Sequence, residues 1–301
     1  MSNVGDLAGP RVSALRSADG TLAADGVNDT CHGNTDGVQP NAKAILANVQ
    51  IVLICWGQFY QDHSDALTFA GQLCNDLVTG RYFNGLAQYG IGRGTVIQTA
   101  NTVELPAPMT LDEEEAFGAV EAFIDFGLGP LPAVDESSLL YVILLPTETT
   151  PTISSGKTDF CGYHQSHRVN EVSRNADLFD VIVRTDTADH SSGKALVRSV
   201  SFCVSHEIAE AVTDRDGRGY HGAKCEISDL CEPDTFKYPS RANIDPWEVE
   251  LYWSQWDRTC IHGDNPVSIS QFLKAIGRTG ESLRALGTPI INIEYIASQF
   301  R

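Results

Sequence analysis

Ser205-His206-Glu207-Ile208-Ala209-Glu210-Ala211-Val212-Thr213-Asp214 is the stretch on which the reading of this chain turns. It closes a longer segment, Gly193 to Thr213, in which Leu196, Val197, Val200, Val204, Ile208, Ala211 and Val212 recur at helical spacing. That stripe predicts one long helix. Residues four apart share a helix face, so His206 and Glu210 can aim their donor atoms at a single ion. Glu207 falls where an HExxH helix carries its general base, placed to take a proton from a water. The pattern here is HExxE. A carboxylate in place of the second imidazole hardens the donor set, which holds Zn2+ less selectively and admits other divalent ions. A His between two Glu residues can be no more than a solvated helix face. The small Ala209 and Ala211, the apolar stripe and the abrupt acidic loop that follows argue for a site.

A catalytic zinc site needs three protein ligands and an open position. The next acidic segment, Cys225-Glu226-Ile227-Ser228-Asp229-Leu230-Cys231, offers Glu226 as first choice for the third ligand and Asp229 as second. Asp229 could instead orient His206 through its far ring nitrogen. Between them, Asp214-Arg215-Asp216-Gly217-Arg218-Gly219 opens like a calcium loop. It then departs from one, with Arg218 at position five and Cys225 at position twelve, so a helix-ending turn is expected.

Working outward, Asn48 to Trp56 is a β-branched apolar run ended by Gly57, a buried strand. Leu67, Ala70, Leu73, Leu77 and Val78 predict a helix over 64–78, stopped by Gly80. Residues 81–94 are rich in turn formers and read as a linker whose aromatics pack, leading to a strand at 95–99. Thr110 reads as the N-cap of a helix running to Phe126, with the acids at 112–115 in the first turn, where the helix dipole favours them. Ser138 to Pro146 is apolar throughout, as in a central strand covered on both faces, and 181–184 looks like another strand. Alternating strands and helices predict an α/β fold. Beyond Asp214 the sequence reads as loop to about Asn265, with an extended piece at 249–253. A helix is expected over 269–276. The domain reading is an N-terminal arm over 1–45, one α/β domain over 46–265, and a C-terminal helical extension over 266–301 packed on it.

With 301 residues the chain can bury a large core without help from metals or disulfides. Its formal charge of -18 repels phosphate backbones and anionic membrane surfaces, so nucleic acid is excluded as a natural partner. No run is long enough to span a bilayer, and Met1 to Gly26 lack the apolar core of a secretory signal. Eight cysteines are too sparse for a disulfide scaffold. Cys55 and Cys203 lie in apolar runs and read as small buried hydrophobes. Cys225, Cys231 and Cys260 lie in polar sequence and are the candidates for a bridge.

Several blocks resemble, in order, the EXORDIUM-like, phosphate-induced protein family and its bacterial and fungal relatives. They are Ile51 to Gly57, Arg81 to Leu86 with Tyr89-Gly90, Phe160-Cys161-Gly162-Tyr163-His164, Ser205 to Asp214, Glu226 to Cys231, and Tyr252-Trp253-Ser254 with Cys260. Arg215 stands where that pattern has Pro. The resemblance covers roughly 47–262. It implies a zincin-like, metzincin-type α/β fold with a mixed sheet, a long active-site helix and a loop-rich C-terminal part. It also implies a secreted or cell-surface location, and a place for His164 near the site, as a ligand or as a stabiliser of the transition state.

The leading expectation is therefore a zinc metallopeptidase-like hydrolase acting on a peptide or protein. His206, Glu210 and one of Glu226 and Asp229 hold the metal, and Glu207 and His164 serve catalysis. The alternative is a catalytically inactive binding or signalling protein whose metal stabilises the loop. A third reading, a glycan-binding surface, would use Trp247, Trp253 and Trp256.

Overall fold

The computed structural model describes residues 44–130, 138–153, 160–171, 174–185, 192–220, 226–231, 241–255 and 257–263. The expected N-terminal arm, apart from its last two residues, lies outside them. So do the C-terminal extension, the helix expected over 269–276, Cys225 and Trp256. The chain is α/β, with a mixed sheet and helices on both of its faces.

Strand β1 (Gln50–Trp56) leads through a short helix α1 (Gln58–Asp62) into α2 (Ser64–Thr79). Residues Tyr82–Tyr89 then form a 3₁₀ helix where the sequence reads as a linker. Its aromatics do pack: Tyr89 donates its hydroxyl hydrogen to the Trp253 carbonyl at 2.6 Å, and Tyr252 donates to the Tyr82 carbonyl at 2.7 Å. Strand β2 (Thr95–Thr102) follows, then the two-residue β3 (Thr110–Leu111) and helix α3 (Glu113–Asp125). The N-cap of α3 is Asp112 and not Thr110. Its carboxylate accepts from the Glu115 N–H while the Glu115 carboxylate accepts from the Asp112 N–H, a reciprocal capping box, and Thr110 is left to the short strand.

Next come β4 (Leu139–Leu144), the short β5 (Thr150–Pro151), β6 (Gly162–Glu171) and β7 (Arg174–Val183), and then helix α4 (Gly193–Thr213). The sheet order is β2-β1-β4-β7-β6. The first four strands are parallel, and β6 closes one edge antiparallel to β7. All six residues of β4 are buried, as expected of a strand covered on both faces. Alternation along β1 divides the core. Ile51, Leu53 and Cys55 face α2 and α4, while Val52, Ile54 and Trp56 face α3.

The region beyond α4 is more ordered than its composition suggests. Strands β8 (Arg241–Ile244) and β9 (Trp247–Glu250) form one hairpin. Strands β10 (Tyr252–Ser254) and β11 (Thr259–Ile261) form another. Strand β9 packs along α4, where the Glu250 N–H donates to Ser205 Oγ at 2.8 Å. Trp247 and Trp253 are buried, and the Trp247 indole donates to Asp76 at 2.9 Å. Both rings belong to the core, so no glycan-binding surface is built from them.

Two disulfides are present among the described residues, Cys161–Cys203 and Cys231–Cys260. The second joins two of the three cysteines expected to bridge. The first corrects the reading of Cys203 as a free buried hydrophobe. Cys203 is buried, but it ties α4 to the residue just before β6. Cys55 and Cys74 are free and buried.

Candidate metal centre

Helix α4 begins at Ser192, whose hydroxyl accepts from the Ala195 N–H at 3.1 Å, a standard N-cap. From Cys203 to Thr213 every residue is buried. A helix enclosed on all sides is normally apolar on all sides. This one carries His206, Glu207 and Glu210 into the interior, at 4%, 0% and 0% exposure. Ionisable groups are brought out of water only where something compensates them, so the last turns of α4 mark the site.

Glu210 is the hub. Its Oε1 accepts from the backbone N–H groups of Ser228 at 3.1 Å and Asp229 at 3.2 Å, which fastens the loop beyond the helix to its last turn. Its Oε2 stands 3.2 Å from His206 Nε2 and 4.0 Å from His164 Nδ1. His206 Nε2 is also 3.8 Å from Asp229 Oδ1. Asp229 thus faces the same ring nitrogen as Glu210, and the far-nitrogen orienting role open to it in the sequence is not what it adopts. Its Oδ2 accepts from the Glu226 N–H at 3.3 Å, which shapes the turn that delivers both acids.

His164 comes from the edge strand β6, on the face turned to α4, and is 4% exposed. Its Nδ1 lies 3.5 Å from Glu207 Oε2, and its Nε2 lies 3.2 Å from Glu226 Oε1. Burial disfavours charge on this ring, but the carboxylates of Glu226 and Glu207 outweigh it, so the His164 pKa stands well above that of an ordinary imidazole.

The close seating of α4 on β6 depends on Gly162. A Cβ there would fall 2.8 Å from the Ile182 carbonyl oxygen and 2.9 Å from both Cys203 Sγ and Glu207 Cγ. From the other side, Tyr82 donates to the Ser205 carbonyl at 3.1 Å, one residue before His206. At the end of the helix the Asp214 carboxylate accepts from the Gly219 N–H. The 214–219 segment is thus the expected helix-ending turn.

Two sets of donor atoms are close enough to share an ion: His206 with Glu210 and Asp229, and His164 with Glu210 and Glu226. A tetrahedral ion bonded at about 2.0–2.2 Å separates neighbouring ligand atoms by about 3.3–3.6 Å, and the closest pair in each set is 3.2 Å apart. All the residue types are those that bind zinc. Cys161 and Cys203 approach Glu207 as well, but as disulfide sulfurs they offer no thiolate.

The six residues singled out in the sequence for catalysis or metal binding are therefore gathered here, though Glu226 and Asp229 do not compete for one place. Asp229 joins His206, and Glu226 joins His164. Sequence reasoning missed a buried polar group on the opposite face of β6 and β7. There Gln165 donates to Asp180 at 2.8 Å, and His167 lies 3.8 Å from Asp180 and 3.9 Å from Glu121. The signal was present in the unbroken polar run His164-Gln165-Ser166-His167, which lacks the apolar alternation of a half-buried strand. Protein-family models, curated proteins and solved structures were all compared with the chain, and none of them matches it.

Proposed function

We propose that the protein is a metal-dependent hydrolase of the zinc metallopeptidase type, with a zincin-like fold and a kinship to the EXORDIUM-like family that rests on the sequence blocks it resembles. The observation that carries this reading is the meeting of His206 Nε2, Glu210 Oε2 and Asp229 Oδ1 beside Glu207, on a helix turn buried on every side. In this reading His206, Glu210 and Asp229 hold the ion. Zn2+, when bound, supplies Lewis acidity towards a carbonyl oxygen and towards a water.

The remaining work falls to the chain. Glu207, the neighbour of one ligand, takes the proton of the attacking water and passes it to the leaving amine, a task that suits a carboxylate held away from solvent. His164, 3.5 Å from the Glu207 carboxylate, helps to hold that group in position. Glu210 keeps its reactive oxygen in place because its other oxygen is bound by two N–H groups. The two disulfides suit an oxidising, extracellular setting, and no helix among the described residues is long and apolar enough to cross a membrane.

The test is elemental analysis of the untagged protein together with hydrolysis of a denatured protein substrate. Bound zinc and cleavage abolished by chelator are the expected results. A metal-free, stable protein overturns the proposal.

A second reading is favoured by the burial itself. Of these six side chains only Asp229 is substantially open, at 20%, and Glu207 and Glu210 are fully enclosed. An ion in such a place would brace the 226–231 loop without meeting a substrate. In that case chelation lowers the melting temperature and there is no hydrolysis to lose.

A further inference from the structure

We infer that the centre binds two divalent ions, one on His206, Glu210 and Asp229 and a second on His164, Glu210 and Glu226, with Glu210 common to both. The inference rests on the metal-dependent reading above and extends it from one ion to two.

Three observations carry it. First, the two donor sets are each complete, each having one imidazole and two carboxylates, and they share only Glu210. A single ion would use one set and leave the other assembled for nothing. Second, His164 is 4% exposed, and its Nε2 lacks an aligned hydrogen bond although it stands 3.2 Å from Glu226 Oε1. The Glu226 Oε1 that faces it likewise accepts none. An imidazolium paired with that acid would point its N–H along the contact. Closeness without alignment is what donor atoms show when they converge on a third body. Third, the formal charges agree. Glu207, Glu210 and Glu226 are buried with the half-buried Asp229 beside them, and the formal charge of four carboxylates is half compensated by one divalent ion and matched by two.

The hub geometry permits the sharing. Glu210 Oε1 is occupied by the N–H groups of Ser228 and Asp229, so Oε2 is the bridging atom, and Oε2 faces both His206 and His164.

The experiment is metal counting on the full chain, titrated with zinc alone and read by elemental analysis after gel filtration. It is repeated with Co2+ as a spectroscopic probe. The expected result is two zinc ions per chain, falling to one in Glu226→Gln and in His164→Ala, with the remaining ion lost in His206→Ala. Two Co2+ ions sharing a carboxylate oxygen should show spin coupling in the wild type, a readout that requires no variant to fold. One zinc per chain with an uncoupled Co2+ signal overturns the second site and leaves the one-ion reading standing. No bound zinc overturns both.

Discussion

His206 Nε2 and Glu210 Oε2 lie 3.2 Å apart, one helical turn from each other, while the other Glu210 oxygen is held by the loop that brings Asp229 to the same imidazole nitrogen. One carboxylate therefore both fixes the loop and offers a ligand. The two roles separate by substitution. Glu210→Gln keeps an oxygen to accept from Ser228 and Asp229 but loses the charge, so it should lose metal while retaining most metal-free stability. Glu210→Ala should lose both, at a further cost of about 0.5–1.5 kcal/mol for each hydrogen bond that the neutral Gln would have kept. Thermal melts in chelator, with metal analysis alongside, check this. Equal melting of the two variants would show that the loop contact is of no consequence.

Glu207 is tested differently, because it is not assigned as a ligand. Glu207→Gln should retain the full metal content and lose hydrolysis by about 10²–10⁴-fold, the usual contribution of a positioned general base. Unchanged turnover with metal present would remove Glu207 from the mechanism.

The junction of α4 with β6 is fixed by the Cys161–Cys203 disulfide and by the absence of a side chain at Gly162. Replacing both cysteines by Ser should cost about 2–4 kcal/mol in denaturant unfolding. Gly162→Ala should cost about 1–3 kcal/mol, because the added methyl meets backbone and disulfide atoms that have little room to yield. It should also weaken metal binding, since the methyl presses on Glu207 Cγ. Wild-type stability in Gly162→Ala would mean that the helix can slide on the strand.

The polar group behind the sheet gives the protein a pH signature. Burial pushes the Asp180 carboxyl up to about 7, and burial pushes His167 down to about 4. Between the unfolded carboxylate pKa, near 4, and pH 7, the folded chain keeps the Asp180 proton that the unfolded chain has released, so this group lowers stability as pH rises. His167 acts in the opposite sense from about pH 4 to its unfolded value near 6.5, where the unfolded chain holds the extra proton. Asp180→Asn removes only the first effect and keeps an acceptor for Gln165. Its stability relative to the wild type should therefore climb from pH 4 to 7, by at most about 1.4 kcal/mol per pH unit. A flat difference in urea midpoints across that range would show that Asp180 is ionised in the fold.

Much of this was readable in the residues, for identifiable reasons. Strand β4 and helices α2 and α4 have long, unambiguous apolar patterns, and such patterns report burial directly. Strand β6 was not seen because one face meets α4 through His164 and the other buries Gln165 and His167. Polar contacts on both sides erase the alternation that signals a strand. Of the hairpins after α4 only the extended piece at 249–253, which is the end of β9 and the start of β10, was visible, because strands of three or four residues are too short for any period to show. At the site itself, the chemistry of His206, Glu207 and Glu210 follows from helical spacing. The division between Glu226 and Asp229 does not, because it depends on the turn that Asp229 makes with the Glu226 N–H.

Glu210 is held in common by a helix end, a loop eighteen residues further on and an edge strand that precedes them both. A chain that ends before Ser228 lacks both the N–H groups that hold Glu210 Oε1 and the Asp229 carboxylate that faces His206. The donor set is therefore assembled by the folded domain as a whole and is not carried by the HExxE helix alone.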